Sequence, residues 1–501
     1  MNPQQAYDEL VQRSQEIFTI HSIESLTSWD QQVNMPPKGV THRARMMAYL
    51  AQLGHQKSTD PRIGELLAAA EGATWPIGQA ANLREWRRDY DQATRLPEAL
   101  VTHRAGLITR ANAIWQAARA SSDFRAFAPI LDEIVALCRD EADCLGWQAE
   151  RYDALLDRFE PDLTTAQCDA WFAELRGAVA PLLQRIVASP LQPDKDLFRG
   201  ATFPRRQQEA FGRAVTAALG FDYQAGRLDA STHPFTTGPC SQDVRLTTRY
   251  NAKDPFQALM GTIHEAGHGM YGQGVRLEHE GTPLGRSASL GLHESQSRFF
   301  ENNIGRSRPF WAYWFPRFKK AFGRGVDHVD SEAFYRLLNK VEPTFIRVEA
   351  DEVTYNLHIM VRFEIERDLM RGDLAVADLP AIWNARYQEY LGITPPTDRD
   401  GVLQDIHWSW GLLGYFPTYS LGTVYAAQLE SALRRATPDL DAQMAAGRFG
   451  AALAWMREQV HQPGMTYRPA ELIEHATGQR PAAAAYIAYL TGKYTELYGG
   501  Q

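Results

Sequence analysis

Apolar residues recur every three or four positions along nearly the whole chain, the period that buries one face of an α-helix. Up to about Gly54 the pattern reads helix, break, helix, with Trp29-Asp30 and the Met35-Pro36-Pro37 turn between the two and Met46, Met47, Leu50 and Leu53 on one face of the second. Such a hairpin serves either as a lid or as an ordinary packing element. Further amphipathic helices are predicted over 84–119 and 127–159, where charges four apart mark solvated faces. A helical pair is predicted over 164–187 and another helix over 205–219.

The period shortens to two between Asp222 and Tyr250. Residues 243–250 alternate and are rich in β-branched side chains, and 232–237 precede them across Gly238-Pro239, so a short hairpin is expected. Its edge could pair with an extended peptide, or the hairpin could simply cover the helix that follows. That helix is well marked. Asp254 suits its cap, Pro255 its first turn, Phe256, Leu259, Met260 and Ile263 one face, and Gly272 and Gly274 its end. Beyond it the pattern predicts a helix from Ser289 to Gly305, a long one over 343–370, and Ala-rich helices from Asp439 onwards. No Gly/Ser-rich or Pro-rich linker interrupts the series. A mainly α fold results, one catalytic-size unit with lobes around a cleft and a small β-hairpin, comprising an amino-terminal lobe of about residues 1–160 and a core of about 200–425.

Composition narrows the partners. In 501 residues with 44% hydrophobic content, the net charge of -8 is spread over interspersed acids and bases, which disfavours nucleic acid. The first residues lack a basic stretch followed by an apolar one, and no segment is long enough to span a bilayer, so a cytoplasmic protein without membrane partners is expected. Cys138, Cys144, Cys168 and Cys240 have no CxxC spacing and read as reduced thiols.

The chemistry concentrates in His264-Glu265-x-x-His268 on the marked helix. Histidines four apart share a helical face and can offer ring nitrogens to one Zn²⁺, with Glu265 beside them as a base; Co²⁺ or Mn²⁺ would suit the same ligands. With 14 His and 60 acidic residues, chance supplies on the order of 0.02 such matches. A catalytic zinc needs a third protein ligand and an open position. Glu294, near the start of the next helix, is the choice, with Glu301 as fallback; the plainer role for Glu294 is an ion pair with Arg298, four residues on. The three-histidine alternative asks for glycine and histidine where Tyr271 and Gly274 stand, and is excluded. Arg347 could clamp a carboxylate or pair with Asp351. His407 and Tyr419 stand in an aromatic, glycine-rich context suited to oxyanion donors, and His233 could reach a substrate.

Five motifs in order then resemble the carboxypeptidase Taq family of zinc metallocarboxypeptidases: Asp243-x-Arg245-x-Thr247, His264-Glu265-x-x-His268, His293-Glu294-Ser295-Gln296, Ile346-Arg347-x-x-Ala350-Asp351 and Gly401-x-x-Gln404-Asp405-x-His407-Trp408. The resemblance implies a saddle-shaped, neurolysin-like helical fold, a homodimer, and removal of C-terminal residues from peptides with broad specificity. It implies zinc on His264, His268 and Glu294, Glu265 as base, Arg347 on the terminal carboxylate, and His233, His407 and Tyr419 near the substrate. Two alternatives are an oligoendopeptidase on a related scaffold and an inactive, metal-stabilised peptide-binding protein; the intact Glu265 speaks against the second.

Overall fold

A computed structural model describes residues 1–499, which are 69% helix and 4% strand. The mainly α expectation holds. The chain opens with α1 (Pro3–Val33), whose first turn is capped by the Asn2 side chain on Gln4 N at 3.0 Å. It then runs through α2 (Val40–Ser58), α3 (Pro61–Ala70), α4 (Ile77–Arg95), α5 (Glu98–Ser121), α6 (Phe124–Leu145), α7 (Arg151–Asp157), α8 (Thr165–Ala188) and α9 (Arg205–Leu219). Trp29 and Asp30 lie inside α1, so the break falls later than the pattern predicts, at the Pro36-Pro37 turn. Along α2 only Gly54 is buried; Met46 is exposed. The pair predicted over 164–187 is one helix that tolerates Pro181, started by a Thr164–Gln167 capping box.

Two cores form. Ala6, Tyr7 and Leu10 of α1 pack with Ile63, Leu66 and Leu67 of α3 and Leu83 and Trp86 of α4 in a small cluster. From α5 onward the apolar faces join a single large core.

The sheet contains a strand that the alternation did not mark. Strands β1 (Gly226–Ala230), β2 (Thr236–Cys240) and β3 (Asp243–Thr248) stand in the order β1-β3-β2, with β1 parallel and β2 antiparallel to β3. The β2–β3 turn lies at Ser241-Gln242, and Gly238-Pro239 belongs to the strand instead of the turn. Pro is acceptable there because β2 is an edge strand. That edge is not bare: α1 lies along it, with Ser22 Oγ donating to the Pro239 carbonyl at 2.5 Å and Ser25 Oγ 2.5 Å from Thr237 Oγ1. Trp29 of α1 lies under the guanidiniums of Arg245 (4.2 Å) and Arg227 (4.8 Å), and Arg245 is paired with Asp243. The first motif therefore joins α1 to the sheet.

The chain continues through α10 (Pro255–Gly272), α11 (Leu290–Arg298), α12 (Arg308–Phe322), α13 (Ser331–Leu338), α14 (Tyr355–Arg371), α15 (Leu379–Leu391), α16 (Pro417–Ala436), α17 (Leu440–Ala445), α18 (Gly450–Met456), α19 (Pro469–Thr477) and α20 (Ala484–Tyr498). The caps of α10 and α11 are as predicted: Asp254 Oδ1 accepts from Phe256 N at 2.8 Å, and Ser289 Oγ from Leu292 N at 3.0 Å. α11 ends in a π-helical turn, Phe299–Ile304, before Gly305.

Helix α10 is buried by Ile263, Ala266 and Met270, and it meets α11 backbone to backbone. A Cβ on Gly267 would stand 2.5 Å from the Gln296 carbonyl and 2.6 Å from Ser297 Cα, and one on Gly422 of α16 would stand 2.4 Å from Glu294 Cγ. Replacing Gly267 by Ala is expected to force α10 and α11 apart and to cost about 1–3 kcal/mol. A fall in the denaturation midpoint without a change in slope checks it.

Candidate metal centre

Four residues apart on α10, His264 and His268 place their rings edge to face, with centroids 5.0 Å apart. Their Nε2 atoms lie 3.7 and 3.4 Å from Glu294 Oε2 on α11. Ligand atoms of the three residues all fall within 4.8 Å of one another, the only such group among the described residues. The outer nitrogens are occupied: His264 Nδ1 is 2.9 Å from Glu301 Oε2, and His268 Nδ1 donates to the His293 carbonyl at 3.0 Å. Those bonds place the proton on Nδ1 and turn the Nε2 lone pairs inward. Glu301, the fallback ligand, thus stands behind a histidine.

The electrostatics match a cation. Burial pushes the His264 imidazolium down, but Glu294 and Glu301 outweigh it and the net shift is upward. Carboxylates that favour a proton on the imidazole favour a metal ion in the same place. Burial would raise Glu301, yet the bond to His264 and the Arg298 charge hold it at about 2. Glu294 is also held below the carboxylate range, against burial, by Arg298 and the histidines. Two imidazole nitrogens and one carboxylate oxygen fit a divalent ion of the zinc type. The plainer role for Glu294 is present simultaneously: its Oε1 accepts from Arg298 Nε at 2.7 Å.

Glu265 is buried beside this group, and the Thr236 hydroxyl of β2 lies 2.6 Å from its Oε2 and 2.8 Å from its carbonyl. The hairpin therefore does cover the helix, and it holds the Glu265 carboxylate. A cavity of about 230 Å³ opens next to His268, bounded by Phe18, Thr237, Pro239, Ser287 and His293. The His293 ring stacks on His268 at 4.3 Å and is kept neutral, pushed to about 3 by burial and then by His268. Tyr271 continues the stack to His461, whose Nε2 is 2.9 Å from Gln296 Oε1. The carboxyl-terminal region, silent in the sequence, thus supports the site.

Arg347 does not lie on a long helix. It occupies a single 3₁₀ turn, Arg347–Glu349, and α14 begins only at Tyr355. The backbone here bonds elsewhere: Gln404 accepts from Arg347 N at 2.8 Å and donates to the Phe345 carbonyl at 2.9 Å. Asp351 is not its partner, since that carboxylate accepts from Val353 N and Thr354 N, each at 2.9 Å. The guanidinium of Arg347 is buried on Asp405 (Nη2 to Oδ1, 2.8 Å), while Arg362 holds the other oxygen at 2.6 Å. Arg347 Nη1 also donates to Tyr355 OH at 3.1 Å, and the Tyr355 ring lies 4.3 Å below Arg298, linking this cluster to Glu294.

His407 Nε2 is 3.2 Å from Tyr419 OH, and the Tyr419 ring lies 4.9 Å from the Arg347 guanidinium. Burial, then Arg347, pushes His407 down to about 3, so it is neutral. Glu366, which sequence reasoning missed, holds this loop through Trp408 Nε1 (2.8 Å) and Gly414 N (2.9 Å). His233 is exposed on the β1–β2 connection, and among the described residues its ring makes no hydrogen bond.

The chain matches the family profile described as carboxypeptidase Taq (M32) metallopeptidase over residues 9–494. It is 44% identical to thermostable carboxypeptidase 1 of Thermus thermophilus across 100% of both chains, and 38% identical to carboxypeptidase 1 of Bacillus subtilis across 95% of each. The crystal structure of an M32 carboxypeptidase from Deinococcus radiodurans R1 superposes with a TM-score of 0.96 at 40% identity, covering 99% of this chain and 100% of that one.

Burial would raise Asp405, but Arg347 and Arg362 hold it far below its usual value. A depressed carboxyl stabilises the fold above its unfolded pKa of about 3.9 and loses that contribution as pH falls towards the folded value. Asp405→Asn should remove this part of the acid sensitivity and, by leaving two buried guanidiniums unpaired, cost about 3–5 kcal/mol at neutral pH. Denaturant titrations at several pH values read both effects.

Proposed function

The chain belongs to the carboxypeptidase Taq (M32) family of metallopeptidases and is a metallocarboxypeptidase acting on peptides, and from this premise we propose that His264, His268 and Glu294 hold a Zn²⁺ while Glu265 is the general base. The observation that carries this reading is the convergence of the three ligand atoms beside a second, anchored carboxylate. Co²⁺ or Mn²⁺ suits the same donors.

When bound, the metal supplies Lewis-acid polarisation of the scissile carbonyl and lowers the pKa of water. Glu265 accepts the proton of the attacking water and returns it to the departing amine nitrogen. Thr236 fixes the plane of that carboxylate. Tyr419 or His407 donates to the developing oxyanion, a bond worth about 3 kcal/mol; since the two are hydrogen-bonded to each other, a phenol that accepts from His407 Nε2 keeps its own proton for that role.

Recognition of the chain end follows from charge. Arg347 and Arg362 share the single carboxylate of Asp405, so this buried cluster carries a surplus positive charge that a terminal carboxylate neutralises. Arg347 also donates to Tyr355 OH, beside Arg298, whereas Arg362 is tied to the His358 carbonyl at 2.6 Å and to Tyr387. Residues preceding the scissile bond occupy the cavity beside His268, with His233 at the substrate's approach. Within this single unit an amino-terminal lobe is supported by the small core shared by α1, α3 and α4, while α5 and α6 pack into the large core. The free thiols support a reducing, cytoplasmic setting. A homodimer completes the proposal, and sedimentation at several concentrations tests it.

Glu265→Gln should retain bound zinc and lose turnover by several orders of magnitude; a metal-loaded variant that still releases amino acids excludes this base. Amidation of a peptide's C-terminus should abolish its cleavage, whereas equal cleavage of acid and amide would remove Arg347 from the recognition of the chain end.

A further inference from the structure

The carboxylate of Glu294 is divided between two neighbours. Oε2 faces both imidazoles, at 3.7 and 3.4 Å, with Ser297 Oγ 3.1 Å away, while Oε1 accepts from Arg298 Nε at 2.7 Å. Arg298 is itself immobilised. Its guanidinium lies 4.3 Å over the Tyr355 ring, and Nη1 is 3.4 Å from Glu301 Oε2, the oxygen that takes His264 Nδ1. One cation thus braces both the carboxylate ligand and the carboxylate behind a histidine ligand. The Glu294 side chain has little room to turn towards α16, where the absent Cβ of Gly422 would stand 2.4 Å from its Cγ.

A carboxylate can give a metal ion one oxygen or two. Two raise affinity, but the second occupies a position that a catalytic site must leave to solvent. Arg298 competes for that second oxygen at hydrogen-bond distance, and its charge also opposes the cation. We propose that Arg298 is a positioning residue that restricts Glu294 to single-oxygen ligation, sacrificing metal affinity to keep a coordination position open. This rests on the assignment of His264, His268 and Glu294 as the metal ligands. An outer-shell residue that merely braces a ligand behaves in the opposite way, because its loss weakens metal binding.

Three measurements on the full chain separate the two roles: Zn²⁺ affinity by competition with a chromophoric chelator, the visible spectrum of the Co²⁺-loaded protein, and kcat and KM on an unblocked peptide. For Arg298→Met, kcat should fall about 10- to 100-fold with little change in KM. Zn²⁺ affinity should be unchanged or tighter, and the cobalt bands should weaken, as they do when coordination number rises. Arg298→Lys keeps a charge beside Oε1 and is expected to restore the wild-type cobalt spectrum and most of the turnover. Loss of Zn²⁺ affinity by about tenfold or more in either variant overturns the proposal, since Arg298 would then be a brace. So does a methionine variant with wild-type spectrum and turnover. Should the methionine variant not fold, the lysine variant decides by the same spectrum and affinity. If the wild-type protein takes up no Zn²⁺, or Glu294→Gln binds it as tightly, the ligand assignment itself fails, and that result is distinct from any difference at Arg298.

Discussion

At Gly267 the backbone of α10 comes so close to α11 that a single methyl group would collide with the Gln296 carbonyl, and this contact governs how closely the side chains of the two helices converge. The histidines are on one helix and Glu294 on the next, so their separation is the separation of the two axes less the reach of the side chains. Gly422 plays the same part on the third side, where α16 closes over Glu294. Small residues at helix crossings are usually read as packing economy; here they set the distance at which two imidazoles and a carboxylate meet.

Charge is arranged around that geometry in alternation. Glu301, Arg298 and Glu294 follow one another behind the histidines, and Arg347, Asp405 and Arg362 form a second sequence of opposite polarity. Burying any one of these charges alone would cost several kcal/mol. Within each set the neighbours offset most of that cost: Arg306 joins Arg298 on Glu301 in the first, while in the second two guanidiniums face one carboxylate. Tyr355 stands between the two sets, touching Arg298 with its ring and Arg347 with its hydroxyl.

Several motifs acquire a physical meaning in this frame. Gln404 satisfies the backbone around Arg347, which is why that segment is not helical, and Asp405 holds the arginine itself. Asp243 and Arg245 pair with each other and fasten α1 over the edge strand through Trp29. Glu366 and His461 carry no legible signal, because a buried carboxylate or imidazole acting through other side chains has no characteristic spacing.

Local chemistry was readable from the chain alone. The helical period, the Asp254 and Ser289 caps, the two histidines with their adjacent acid, and the i, i+4 relation of Glu294 to Arg298 all depend on neighbours within a turn or two. Spacing nominated Glu294 but could not show its two oxygens serving different partners, nor turn Glu301 from substitute ligand to support. The helix predicted around Arg347 failed because its backbone bonds run to residues more than fifty positions away. The parallel strand β1 was missed because its partner does not adjoin it in sequence. Which groups converge, and which oxygen faces which neighbour, was decided by the crossing of α10, α11 and α16, because distances across a helix interface depend on packing that no stretch of one helix encodes.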